Sequence, residues 1–105
     1  MSLYSLKILT PEKKVYDAEI SSLTVSCENG LLSILAGHEP MIVALKEGSL
    51  LIKTAHESLE GIAGQGILKV NQVEAVVMVH SFKWAGEEIA EETIAEEENE
   101  DDLML

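Results

Sequence analysis

Residues 29–48 read NGLLSILAGHEPMIVALKEG. The opening Asn29-Gly30 is a tight-turn dipeptide, because a type I′ hairpin turn needs positive φ at both central residues and Asn and Gly adopt it most easily. Leu31 to Leu35 follows as a short apolar run. Gly37-His38-Glu39-Pro40 then bends the chain, and Pro40 has no N–H to donate to a strand ladder. Met41 to Leu45 is a second apolar run, closed by Glu47-Gly48. Each run has five residues, which is strand length and too short for a core helix. The segment therefore folds back on itself as β structure.

The same rhythm extends in both directions. Upstream, Leu6, Ile8 and Thr10 alternate with Lys7 and Leu9, which predicts a strand over 3–9 ended by Thr10-Pro11-Glu12. Val15 to Asp17 forms a short strand, and Ile20, Leu23, Val25 and Cys27 lie among Ser and Thr, a β-type composition. Downstream, Leu50 and Ile52 alternate with Leu51 and Lys53, followed by a polar turn holding His56 and Glu57. Leu59 to Ala63, Ile67 to Val70 and Val73 to Val79 complete the set, with turns at Gly64-Gln65-Gly66 and Asn71-Gln72. Some eight to ten short strands at this spacing predict an all-β antiparallel sandwich or barrel. A parallel βαβ plan is excluded, since no helix-length segment separates the strands.

Charge divides the chain. All seven lysines and nine acids lie in residues 1–84, a net of −2, while residues 85–105 carry ten acids and no base. The expected organisation is a β domain over 1–84 and an acidic tail over 85–105. Within the tail, 85–98 is rich in Ala and Glu, but its seven glutamates face no lysine. Like charges at i, i+4 oppose a helix, so one or two turns are expected, fading into disorder by Asn99. A chain of 105 residues buries about 65% of its unfolded surface on folding, enough for one core and not two. No apolar run reaches the roughly 20 residues of a membrane-spanning helix. Nucleic-acid binding needs clustered Lys or Arg, and the chain has no arginine at all. A single cysteine, Cys27, can form no internal disulfide, which fits a reducing compartment.

The search for catalytic chemistry finds no candidate constellation. His38, His56 and His80 are widely spaced and lack the HxxxH or CxxC patterns of zinc sites. Cys27 has no basic neighbour to lower its pKa. Gly64-Gln65-Gly66 lacks the third glycine and following helix of a dinucleotide loop. Asp101-Asp102 lacks the spaced ligands of an EF-hand. The expectation is a non-enzyme without metal or cofactor. What stands out is an excess of apolar residues in 31–45: Leu31, Leu32, Leu35, Met41, Ile42, Val43 and Leu45. Either both faces of these strands are covered, or part of the surface docks on another protein. Spacing alone leaves both readings open.

These motifs resemble the N-terminal domain of the epsilon subunit of F-type ATP synthases over nearly all of residues 4–84. The family's opening strand and "TPE"-like break correspond to Leu6-Lys7-Ile8-Leu9-Thr10-Pro11-Glu12, with Val15-Tyr16 after it. Its Gly-rich hairpin, "GHxP" bend, hydrophobic run and "LKxG" are similar to Gly30, Gly37-His38-Glu39-Pro40, Met41 to Ala44 and Leu45-Lys46-Glu47-Gly48. Its "GGxLEV" strand resembles Gly64-Gln65-Gly66-Ile67-Leu68-Lys69-Val70.

The resemblance implies a ten-stranded β-sandwich and a structural role. Such a subunit sits at the foot of the central stalk, peripheral to the cytoplasmic face of the bacterial membrane. It binds the gamma subunit and the c-ring and couples ion-driven rotation to ATP synthesis. By position, Thr10, His38, Met41 and Val43 are expected to meet gamma, and Glu28, Asn29, Gly30 and Leu31 the c-ring. The chain departs from the family pattern at Leu31, where an acid is common, and at Ser33-Ile34 and Ala36-Gly37. In place of the family's C-terminal helical hairpin it has the acidic residues after Trp84, so neither ATP binding nor inhibition by a helical hairpin is expected. The alternative is a stand-alone sandwich that captures a ligand around His38 and His56.

Overall fold

The computed structural model describes residues 2–85. Ten strands follow one another in two five-stranded sheets. They are β1 (Tyr4–Leu9), β2 (Lys14–Ile20), β3 (Ser22–Cys27), β4 (Gly30–Leu35), β5 (Met41–Leu45), β6 (Gly48–Lys53), β7 (Ser58–Ala63), β8 (Gly66–Val70), β9 (Glu74–Val79) and β10 (Phe82–Trp84). The first sheet has the order β2-β1-β9-β8-β5 and the second the order β10-β7-β6-β3-β4. The β-sandwich expected from the strand rhythm is the observed fold. The helical turns expected over 85–98 lie, beyond Ala85, outside the described residues.

Period-2 burial explains why two sheets form. In β1, Tyr4, Leu6 and Ile8 are buried, while Ser5, Lys7 and Leu9 face away. In β9, Ala75, Val77 and Val79 are buried and alternate with Glu74, Val76 and Met78. The second sheet contributes Leu23, Val25, Ile34, Leu50 and Ile52 to the same core. Fully burying one such side chain is worth about 1.5–3 kcal/mol, so the two inner faces hold each other in place. A polar staple adds to this apolar contact: the Tyr4 hydroxyl donates to the Ile34 carbonyl across the sheets at 2.7 Å.

Four details differ from the sequence reading. The pairing is not wholly antiparallel, because β1 and β9 run parallel, from Ser5 opposite Glu74 to Leu9 opposite Met78. Some 65 residues intervene, so the crossover is the rest of the sandwich rather than a helix. The hairpin after β3 turns on Glu28 and Asn29, since Cys27 pairs with Gly30. Gly30 then opens β4 at φ 117°, a conformation that favours glycine. Ile20 ends β2, and Ser21 separates it from β3 with both its backbone N–H and its hydroxyl on the Lys53 carbonyl. Finally, β10 is a strand that periodicity does not announce. It is set by aromatic packing: the Trp84 ring stands edge-on to Phe82 and to Tyr16, closing the side of the sandwich between β10 and β2.

Candidate docking site

The outer face of the β2-β1-β9-β8-β5 sheet is built by the residues that the core rejects. Register places Ala44, Ile67, Met78 and Leu9 in one row across β5, β8, β9 and β1. The next row is Ile42, Lys69, Val76 and Lys7. Six of these eight side chains are apolar, and Ile42 is 69% exposed. The apolar rows run on at both ends. Beyond Leu9 and Met78 a cleft of about 490 Å³ is lined by Thr10, Pro11, Gly66 and His80. Beside Ile42 and Lys69 a second cleft of about 420 Å³ reaches Pro40 and Asn71. Gly66 is required here, because a Cβ would run into the Met78 carbonyl of the neighbouring strand.

The opposite outer face is more polar. Thr24 pairs with Ser33 through their hydroxyls at 3.0 Å, and the Ser26 hydroxyl donates to the Ser49 carbonyl. Leu31 and Leu35 stand exposed on β4, at the edge of that sheet.

Charges on the first face are sparse. Lys7 Nζ lies 3.3 Å from Glu74 Oε2, and Lys14 Nζ lies 2.8 Å from Asp17 Oδ2. The hydrogen bond from Lys14 holds the Asp17 carboxyl below its usual range, with the positive charges of Lys14 and Lys7 adding to it. Among the described residues no three His, Cys, Asp or Glu side chains gather in a way that could hold a metal ion.

The residues expected to meet gamma are spread along this sheet. Thr10 sits at the end of β1, where its hydroxyl and its N–H both bond the Lys13 carbonyl. His38 lies at the other end, in the loop before β5, with Nδ1 2.8 Å from the Glu39 carbonyl oxygen. Met41 and Val43 lie on β5 with their side chains turned inward against the core. Their neighbours Ile42 and Ala44 face outward instead. The residues expected to meet the c-ring form one exposed tip, Glu28 to Leu31. This tip shares an end of the sandwich with Thr10, and Gln65 lines both the cleft at Thr10 and the cleft at Glu28. The two histidines of the ligand reading do share the far end, while the cleft beside Leu35 is lined by Ser21, Ser22 and Ala36 and the one beside Ile42 by Pro40, Lys69 and Asn71.

Sequence reasoning named Ile42 only within the apolar excess of 31–45, and missed Ile67, Lys69, Val76 and Met78. For β8 a signal existed: Lys69 must point outward, and a period of two sends Ile67 with it.

Comparison with known proteins adds the decisive observation. Residues 3–85 match the family model described as ATP synthase, Delta/Epsilon chain, beta-sandwich domain. The chain belongs to this family. Among curated relatives, the ATP synthase epsilon chain of Caldicellulosiruptor saccharolyticus is 31% identical over 87 residues, covering 83% of this chain and 64% of the relative. That of Clostridium novyi is 34% identical over 85 residues, covering 80% and 65%. The match to the Bacillus velezensis epsilon chain, at 28% identity, takes in 99% of this chain and 79% of the relative. For the first and second of these, the matched region spans less than two thirds of the relative's length. A chain in the mitochondrial ATP synthase of Euglena gracilis superposes with a TM-score of 0.75 at 16% identity, over 88% of this chain and 62% of that one. One from the central stalk and c-ring of Tetrahymena thermophila ATP synthase gives 0.66 at 18% identity, over 76% and 65%. At such identities the structural likeness concerns the fold of the family.

Proposed function

We propose that this chain is a non-catalytic subunit of the central stalk of an F-type ATP synthase. It fastens the gamma subunit to the c-ring so that ion-driven rotation reaches the catalytic head. The observation that carries this reading is the two-row apolar face on the β2-β1-β9-β8-β5 sheet of a domain whose family is that of the epsilon chain. A rotor link has to be stiff and must present a surface that stays docked. Two sheets sharing one dry core supply the stiffness, and an exposed apolar patch is the usual mark of a docking surface.

In this reading the sandwich, residues 1–84, does the docking, and 85–105 is an acidic appendage. Gamma lies along the face that runs from Thr10 past Ala44 and Ile42, the outward neighbours of Val43 and Met41, to His38. The loops of the c-ring meet the tip at Glu28, Asn29, Gly30 and Leu31. The subunit sits peripherally at the cytoplasmic face of the bacterial membrane. It works without binding ATP, in keeping with a chain that has no arginine for a bidentate phosphate clamp.

Co-expression of the 105-residue chain with its cognate gamma subunit tests the proposal. The two are expected to elute together in size-exclusion chromatography. Separate elution of a folded, unbound chain overturns the reading.

A further inference from the structure

Lys69 stands alone among apolar neighbours on the proposed docking face. Its cross-strand partners are Ile42 on β5 and Val76 on β9, and Ile67 lies two residues back on the same side of β8. The other lysine of that row, Lys7, is neutralised by Glu74 at 3.3 Å. That ion pair takes up the only carboxylate that β9 presents on this face, and β8 and β5 contribute none. Lys69 thus makes no ion pair among the described residues, although its row is otherwise apolar or paired.

In the free protein this arrangement has no cost, because the ammonium is exposed and hydrated. Covering the face changes that. A partner that buries Ile42, Ile67, Val76 and Met78 must also strip water from the ammonium between them, and a desolvated charge without a partner is strongly unfavourable. We infer that the surface of gamma seated here is an apolar segment that presents an Asp or Glu carboxylate to Lys69. The pair fixes the lateral register of a contact that apolar side chains alone would leave free to slide, which is the use of charge for specificity rather than for raw affinity.

This inference rests on the proposed docking to gamma, and the experiment separates the two. Binding of the full chain to cognate gamma is measured at two salt concentrations for the native protein and for Lys69→Met, Lys69→Glu and Lys69→Arg. The native chain binds. Lys69→Met keeps the apolar stem and removes the charge. It is expected to weaken binding roughly 30-fold or more, since the acid on gamma is left buried and unpaired. Lys69→Glu weakens binding further, and Lys69→Arg stays near native. A single Asp or Glu to Lys change on gamma restores the Lys69→Glu complex and identifies the partner carboxylate. Thermal unfolding of all three variants matches the native chain because the side chain is exposed. Native binding with Lys69→Met and Lys69→Glu both within threefold of it overturns the inference and leaves the docking intact. Failure of the native chain to bind overturns both.

Discussion

Tyr4 shows how much one side chain can decide. Its ring is buried in the core, while its hydroxyl, as a donor, reaches across to the Ile34 carbonyl. Burial pushes the phenol up from 10.0 to about 12, and a backbone hydrogen bond at Leu23 acts weakly in the other direction. Ionisation is thus easier in the unfolded chain than in the folded one. The stabilising difference is complete below pH 10 and is lost as pH rises towards about 12. Alkaline unfolding followed by fluorescence should show this decline, and Tyr4→Phe should reduce its slope in that window. At neutral pH Tyr4→Phe should cost about 1–3 kcal/mol, because the Ile34 carbonyl loses its donor inside the core. Unchanged stability in both ranges would mean that the inter-sheet hydrogen bond contributes nothing.

At the level of single elements, β5 separates fold from docking most sharply. Met41, Val43 and Leu45 point to the core and Ile42 and Ala44 to the surface. Ile42→Asp should leave thermal stability within about 0.5 kcal/mol of native, as surface changes usually do, while abolishing co-elution with gamma. Val43→Asp should instead unfold the domain, since it drives a carboxylate against the core. Chemical denaturation combined with size-exclusion chromatography distinguishes the two.

The same strand shows where sequence reading stops. An uninterrupted MIVAL run carries no phase, because no polar residue marks the outer side. By contrast, Lys7 in β1 and Lys69 in β8 mark theirs. Strand β10 was invisible for another reason. Three residues contain no period, and the strand exists because Phe82 fills the space over Gly61, where a Cβ would strike the ring.

Over the whole molecule, the hydrophobic rhythm gives the number of strands and the turns give their order, but neither names the neighbours. Nine segments were legible because apolar alternation or a short apolar run recurs between Gly, Pro and Asn breaks. The union of β1 with β9 was not, since no local signal joins residue 5 to residue 74. The docking face was half legible. Its location within residues 31–45 follows from apolar excess, whereas its width across β8 and β9 depends on that same long-range pairing. A chain shortened to residues 1–72 lacks β9 and β10 and splits the first sheet into β1-β2 and β5-β8. It should show no cooperative unfolding transition, and a sharp transition near the native temperature would contradict this account.

The parallel seam between β1 and β9 also governs how the protein is made. Of the ten strands, synthesis delivers β1 first and its central partner ninth, so the first-born strand must wait with one hydrogen-bonding edge open until residues 74–78 emerge. Long-range pairing of this kind folds slowly, and an open edge invites pairing with other chains. Until β9 emerges the nascent molecule keeps that edge exposed, and any stalled product that ends short of β9 keeps it for as long as it lasts.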